Sequence, residues 1–194
     1  MRLLSMPRMF GPGRSFLDEG LVAALLLCGV AASVWAAPGI AGGLGAALAL
    51  IMLAIAVIDA RLFIIPDELT VAGFALALVN AAVTAPDGMV EAVGMAVLRG
   101  AVLALLFFGL RAGYRRLRGR EGMGGGDPRL FAAIGAWVGA WQLPAILLGA
   151  GLFGLAAVAA MRLRGEAVTA TSRLPLGTLM TLAAWPVWLV VAFT

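Results

Sequence analysis

The 194 residues include no histidine and no lysine, and Cys28 is the only cysteine. Without histidine the chain cannot form a Ser-His-Asp triad, a Cys-His pair or a His-Glu zinc motif. Without lysine it has no Ser-Lys dyad and no Schiff base. A single thiol builds neither a disulfide nor a four-thiolate zinc site nor an iron–sulfur cluster. If the protein is an enzyme, carboxylates must carry its reaction, and we expect no metal ion and no cofactor.

Charge is scarce as well. Only 12% of the residues are charged and 63% are hydrophobic, whereas an average soluble domain is about 25% charged. These proportions exclude a soluble globular chain. A helix needs about 20 apolar residues to cross a bilayer, and seven apolar runs, one of them short, predict an all-α polytopic membrane helix bundle that forms a single domain over residues 1–194. The predicted spans are 21–37, 39–58, 69–85, 92–110, 130–142, 143–161 and 177–193.

The arginines predict the orientation of these spans, because short cytoplasmic loops carry an excess of positive charge. If the N-terminal segment 1–20 is cytoplasmic, only Arg99 lies within a span, and we expect it to make an ion pair with Glu91 or another polar contact between helices. The remaining arginines then all lie on the cytoplasmic side: Arg2, Arg8, Arg14, Arg61, Arg111, Arg115, Arg116, Arg118, Arg120, Arg129, Arg162, Arg164 and Arg173. Topology and anionic lipid headgroups account for the net charge of +4, so we expect the bilayer, and no nucleic acid, as a partner.

Four of the ten acids stand out, because an ionisable group beside a span needs a partner or a function. Asp59 ends the second span, Asp67 and Glu68 precede the third, and Asp127 precedes the fifth. With the predicted topology all four lie at the cytoplasmic face, where carboxylates from two helices can meet.

Structural roles compete for these acids. Asp67 is favoured as an N-cap of the third span, with Glu68 in its first turn, and Asp127 before Pro128 has the pattern of an N-cap. Asp59 has the weakest structural explanation, because an acid at a helix C-terminus faces the negative end of the macrodipole.

Three glycines, Gly124, Gly125 and Gly126, lead into Asp127. A plain cap does not need them, whereas such a run permits close backbone approach and unusual dihedrals, as in a peptide-binding or hinge segment. A flexible linker is an alternative. A phosphate-binding loop is disfavoured, because no lysine followed by serine or threonine comes after the run.

Two motifs resemble those of the type IV prepilin peptidases, intramembrane aspartic proteases of the GxGD class. The first is Asp59 with Arg61 and the following Ile65-Pro66-Asp67; the second is Gly124-Gly125-Gly126-Asp127 running into Arg129-Leu130. The resemblance implies a multi-pass protein of the bacterial inner membrane that removes the basic leader from prepilins or pseudopilins at the cytoplasmic face. It also implies that Asp59 and Asp127 are the catalytic pair.

The chain departs from the family pattern in three places. Larger members carry an insert with paired cysteines that is associated with N-methylation, whereas Cys28 stands alone here, so the chain is similar to a peptidase-only member. Arg129 stands where lysine is usual. Thr178, after Leu174-Pro175-Leu176-Gly177, stands where a second proline is frequent. Neither of these two residues is expected to touch the reaction.

The residues also predict how the pair works. Asp59 at a helix C-terminus is expected to hold the shared proton, and Asp127 at an N-terminus to act as the base. Gly124 to Gly126 are expected to pair with the substrate backbone. Asp67 and Glu68, together with Glu121, are expected to contact the basic leader.

Two other functions remain open. A small ion- or proton-coupled transporter or channel could use the same aspartates, although transport sites usually lie near the bilayer midplane and often accompany inverted repeats. A structural assembly platform or an inactive relative is the third possibility. The oligomeric state is not specified by the sequence.

Overall fold

Seven α-helices make up the described part of the chain. The structure is a computed structural model that describes residues 19–165 and 174–192. The helices, in chain order, are α1 (Glu19–Ala36), α2 (Ile40–Leu62), α3 (Asp67–Thr84), α4 (Met89–Arg118), α5 (Asp127–Trp137), α6 (Leu143–Leu163) and α7 (Leu176–Ala192). One-turn 3-10 helices, Pro86–Gly88 and Ala140–Gln142, precede α4 and α6.

The predicted all-α class is confirmed for the described residues, which contain no strand. Within them, five segments are long and apolar enough to cross a membrane: α1, α2, α3, Pro86–Arg118 and Ala140–Leu163. Helix α7 is apolar as well, but with 17 residues it is shorter than each of these five segments. The N-terminal arginines, Glu166 and Arg173 lie outside the described residues. Seven crossings and a cytoplasmic N-terminus therefore stay predictions.

Helix α5 is much shorter than a membrane span. Its 11 residues extend only about 17 Å at 1.5 Å per residue, roughly half of the hydrocarbon thickness. Nine of the 11 are buried, and α3 and α4 pack directly against the helix. The predicted fifth span is thus an internal helix that ends at Trp137, and Pro144 lies in the first turn of α6 as the predicted break requires.

Glycines allow the close packing of α4 and α5. A Cβ atom on Gly100 would lie 2.8 Å from the carbonyl oxygen of Ala132, and one on Gly135 would lie 3.3 Å from the carbonyl oxygen of Arg99. A methyl group on Gly100 would push the two backbones apart, and one on Gly135 would collide with the side chain of Leu103 on α4. Such small residues are typical of helix contacts in membranes, where dispersion contacts replace the hydrophobic effect as the main source of association.

Arg99 caps the C-terminal end of α5. Its Nε donates to the carbonyl of Gly135 at 3.3 Å, and its Nη2 donates to the carbonyl of Ala136 at 3.2 Å. These carbonyls belong to the last turn, where no intrahelical donor is available, and an unpaired carbonyl away from water is costly. The predicted polar contact between helices is thus made with α5, and no ion pair forms between Arg99 and Glu91, which are both described.

Helix α5 begins at the other end of the bundle, away from the contact between Arg99 and its last turn. Helix α2 packs against α1, α3 and α7, and α6 packs against α7. The last turn of α2 and the first turns of α3, α5 and α7 line one cavity together with residues from the last part of α4. The acids singled out in the sequence lie at these helix ends.

Candidate active site

A cavity of about 1790 Å³ opens at this end of the bundle. Both aspartates of the predicted pair line it, as do Asp67, Glu68 and the three glycines that precede Asp127. All seven predicted site residues therefore border one cavity. Apolar side chains from α4 and α6, including Phe107 and Leu155, line the rest of the wall.

Asp59 lies in the last turn of α2 and is 4% exposed. Its Oδ2 accepts a 2.7 Å hydrogen bond from the backbone N–H of Thr178, and the Thr178 hydroxyl lies 3.2 Å from the same oxygen. Thr178 is the third residue of α7. Because the N–H groups of a first turn point out of the helix without partners, the Asp59 carboxylate caps the positive end of α7.

Asp127 is the first residue of α5 and is 6% exposed. Gly126, rather than Asp127, is the N-cap, and no side chain caps the helix. The interpretation of Asp127 as a simple cap is therefore wrong. Its Oδ2 instead turns back into the preceding loop and accepts a 2.7 Å hydrogen bond from the N–H of Gly124.

Burial dominates the acidity of Asp127. It raises the pKa of this carboxyl from 3.8 to about 6, the charge of nearby Asp59 raises it further, and the Gly124 N–H and Arg111 act in the opposite direction. Burial disfavours a charged carboxylate, and a second carboxylate nearby adds repulsion. Two acids in one buried site therefore favour a singly ionised pair.

Ile65 lies between the start of α5 and the start of α7. Phe63 ends α2 in a left-handed conformation (φ 55°), and its N–H donates to the Asp59 carbonyl. The chain then places Ile65 between two glycines: a Cβ on Gly126 would lie 2.8 Å from Ile65 Cβ, and one on Gly177 would lie 2.8 Å from Ile65 Cδ1. This side chain sets the spacing between the start of α5 and the start of α7.

The glycine loop is held from α4. Arg111 donates to the carbonyl of Met123 at 3.3 Å and to Glu121 at 2.9 Å, and the ring of Tyr114 covers Gly122. Helix α4 continues past its predicted end at residue 110 for two more turns, which brings these side chains over the loop. The loop is therefore braced and does not behave as an unattached linker.

Close backbone approach, expected from the glycine run, is present at two of its positions. A Cβ on Gly124 would lie 3.1 Å from the Asp127 carboxylate, and Gly126 faces Ile65 as described above. None of the three glycines has a positive φ. Their small size, rather than their conformational freedom, fits them to this loop.

A comparison with known proteins decides the family. Residues 46–159, more than half of the chain, match the type IV leader peptidase family. The chain belongs to this family.

Individual relatives in the family are similar at modest identity. A prepilin leader peptidase/N-methyltransferase of Aeromonas hydrophila is 31% identical over 82% of this chain and 53% of its own length. The protein of that name from Xanthomonas campestris is 32% identical over 84% of this chain and 55% of its own length. Leader peptidase HopD of Escherichia coli is 30% identical over 66% of this chain and 81% of its own length.

The chain spans about half the length of the two larger relatives. No solved structure matches it significantly. Among the described residues, no three histidine, cysteine, aspartate or glutamate side chains lie close enough together to hold a metal ion.

The two residues that differ from the family pattern, Thr178 and Arg129, both make contacts at this site. Thr178 donates hydrogen bonds to Asp59, although the sequence offers no reason to place it beside this acid. Arg129 pairs with Asp67, which joins the first turn of α3 to the first turn of α5. Asp67 is not the N-cap of α3, since Pro66 occupies that position. The N-cap interpretation of Asp67 is therefore wrong.

The acids expected to contact a basic leader now differ in their partners. Asp67 and Glu121 are both paired with arginines, and the Arg111 hydrogen bond lowers the pKa of Glu121. Glu68 is exposed, lines the cavity and forms no ion pair with a described residue.

Sequence reasoning missed Thr178, Ile65 and Arg111 as parts of the site. Thr178 acts mainly through a backbone N–H, which every residue except proline has. Ile65 acts by its shape among many similar apolar side chains. Arg111 could have been noticed, because it follows directly on an apolar span, but the orientation of the spans already accounted for its position.

Proposed function

We propose that this protein is an intramembrane aspartic endopeptidase that removes the basic leader from type IV prepilins or pseudopilins. In this proposal it lies in the bacterial inner membrane, with its active site at the cytoplasmic face, and Asp59 and Asp127 are the catalytic residues. One observation carries the proposal: two buried carboxylates from different helices line the same cavity in a member of the leader peptidase family.

The hydrogen bonds favour an assignment of the shared proton opposite to the one expected from helix ends alone. Asp59 faces the C-terminal end of α2, but its carboxylate caps α7 and receives the Thr178 N–H. Asp127 begins α5, but its side chain receives the Gly124 N–H and its pKa is raised to about 6. Asp59 is therefore the ionised base, and Asp127 carries the proton.

With these roles, each proton transfer in the hydrolysis has a donor and an acceptor. Asp59 takes a proton from water as the water oxygen attacks the scissile carbonyl carbon, and Asp127 donates its proton to the carbonyl oxygen. When the tetrahedral intermediate collapses, the C–N bond breaks. Asp59 then gives its proton to the leaving amine, and Asp127 recovers a proton from a hydroxyl of the intermediate. The pair returns to its starting state.

The cavity offers separate surfaces for the parts of a substrate. The exposed Glu68 at its rim suits a basic leader, because Asp67 and Glu121 are already paired with arginines. The loop Gly124 to Gly126 offers backbone groups to an extended peptide. The apolar wall near Phe107 and Leu155 suits a membrane-inserted segment.

Cleavage of a co-expressed prepilin tests the proposal. Wild type is expected to shorten the substrate on a gel, whereas Asp59→Asn and Asp127→Asn are each expected to lose activity at least a hundredfold, the scale of general acid–base catalysis. Asp87→Asn is the matched control, because Asp87 is an exposed acid in the turn before α4 and does not line the cavity.

All variants are checked for equal amounts in the membrane fraction. Normal cleavage by either cavity variant would eliminate the paired-acid mechanism. Cation or proton flux in vesicles that depends on both aspartates, without cleavage, would favour the transporter.

A further inference from the structure

We propose that Thr178 is a positioning residue that keeps the Asp59 carboxylate ionised and so sets the acidic end of the pH range in which the enzyme works. This inference rests on the proposed peptidase function and adds a residue to it. It assigns a function to the start of α7, the element of the cavity that carries no ionisable side chain of its own.

Thr178 meets Asp59 with two polar groups. The backbone N–H is 2.7 Å from Oδ2, and the hydroxyl is 3.2 Å from Oδ2 and 2.9 Å from the carbonyl oxygen of Ala56, one turn earlier in α2. The hydroxyl thus ties α7 to the backbone of α2 beside the acid. The single hydroxyl hydrogen is shared between the Ala56 carbonyl and Asp59 Oδ2, so the backbone N–H makes the stronger of the two contacts with the carboxylate.

The N–H of Thr178 has no competing acceptor in its own helix. The bond from the N–H of Leu179 to the carbonyl of Pro175 spans the start of α7, so the N–H groups before Leu179 point out of the helix end. A carboxylate at this position interacts with the positive end of the helix as well as with the N–H itself. Both effects favour the charged form of Asp59 over the protonated form.

Gly177 makes this contact possible. A Cβ on Gly177 would lie 2.9 Å from Asp59 Oδ2 and 2.8 Å from Ile65 Cδ1. A larger residue would separate the carboxylate from the helix end.

The charged groups around Asp59 are few. Asp127 from α5 faces it, and Arg111 from α4 acts on Asp127 in turn. At the start of α3, Asp67 and Glu68 are exposed, and Asp67 is paired with Arg129. Helix α1 contributes Glu19 at its exposed first turn. The polar contacts described for the Asp59 carboxylate itself come from Thr178 at the start of α7, and hydrogen bonds of this kind favour the charged form of an acid.

A graded series at one position tests the inference. Thr178→Ser keeps both groups, Thr178→Val removes the hydroxyl and keeps the N–H, and Thr178→Pro removes both. Proline is tolerated in the first turn of a helix, so the last variant deletes the donor without breaking α7. The measurement is kcat/KM of the purified full-length protein on a prepilin with a basic leader, from pH 4 to pH 9.

The acidic limb of the profile is expected to move in steps. Thr178→Ser keeps the wild-type profile, Thr178→Val moves the limb to higher pH, and Thr178→Pro moves it furthest, by roughly one pH unit or more. Activity on the plateau above the limb is expected to change much less than activity at pH 5. A residue that only maintained the fold would lower activity at every pH.

Superimposable profiles for wild type, Thr178→Val and Thr178→Pro would overturn the inference and leave the aspartate pair standing. A uniform loss at every pH in Thr178→Pro, with a wild-type profile in Thr178→Val, would make Thr178 a structural residue and would overturn it as well. If wild type itself does not cleave, or if the two aspartate-to-asparagine variants cleave normally, the proposed function fails and the inference fails with it.

Discussion

Asp59 and Asp127 are chemically identical side chains, and their surroundings give them different properties. Their positions at helix ends are visible in the sequence, because acids are rare in so apolar a chain. The donors that decide between them are not visible, since the N–H groups of Thr178 and Gly124 leave no signature in the residue type. The sequence therefore predicts the pair of acids. It indicates a position for the shared proton only through the two helices that carry the acids, and it gives no sign that α7 is the helix that faces Asp59.

The raised pKa of Asp127 predicts a pH-dependent stability. Because the folded-state pKa of about 6 lies above 3.8, this carboxyl binds protons more tightly in the folded state. Its contribution to stability is complete below about pH 3.8 and is lost as the pH rises through 6. Relative to Asp127→Asn, wild type should lose about 2 kcal/mol of unfolding free energy between pH 4 and pH 7.

Thermal unfolding of the detergent-solubilised protein across this range measures the effect. Asp87→Asn serves as the reference, and its curve should run parallel to that of wild type. Parallel curves for wild type and Asp127→Asn would show that burial does not raise the pKa of Asp127.

At the scale of the helices, hydropathy predicted where apolar segments lie but not how long the helices are. Helix α4 continues to Arg118, because arginines are favourable near the negative end of a helix and need no bilayer around them. Helix α5 ends at Trp137, where Arg99 satisfies two of its last carbonyls. Hydropathy along the sequence reflects neither the arginines at the end of α4 nor the contact of Arg99 with the end of α5.

Close packing of α4 on α5 predicts that Gly100→Ala is destabilising. The new methyl group would lie 2.8 Å from the Ala132 carbonyl oxygen and 2.7 Å from Phe74 Cε2, and overpacking of this kind costs about 1–3 kcal/mol. Gly109→Ala is the control in the same helix, because a Cβ there meets nothing within 4 Å. That change should be neutral or stabilising by up to about 1 kcal/mol.

Unfolding temperatures of the two variants in the same detergent provide the comparison. Since α5 carries Asp127, Gly100→Ala should also reduce prepilin cleavage, whereas Gly109→Ala should not. Equal stability and equal activity of the two variants would be incompatible with the described helix contact.

On the scale of the whole molecule, the helix ends that form the cavity also lie beside the arginine-rich end of α4. Arg115, Arg116 and Arg118 occupy its last turn, and the retention of positive charge on the cytoplasmic side therefore predicts that the cavity faces the cytoplasm. The predicted orientation rests on the arginines alone. The number of crossings is a separate question, because α5 is buried and its length is only about half of the hydrocarbon thickness.

Single cysteines in a Cys28→Ser background test both predictions. An impermeant maleimide should label Asp87→Cys in intact cells, and it should label Arg120→Cys only after the membrane is opened, because these positions lie before and after the long helix α4. Trp141→Cys, at a side chain that is 95% exposed, reports on the turn between α5 and α6. Labelling of Trp141→Cys in intact cells would support a crossing by α5 and its turn, whereas labelling only after opening would reduce the number of crossings. Labelling of Arg120→Cys in intact cells would place the two aspartates on the side of the membrane opposite to the one that the proposed reaction requires.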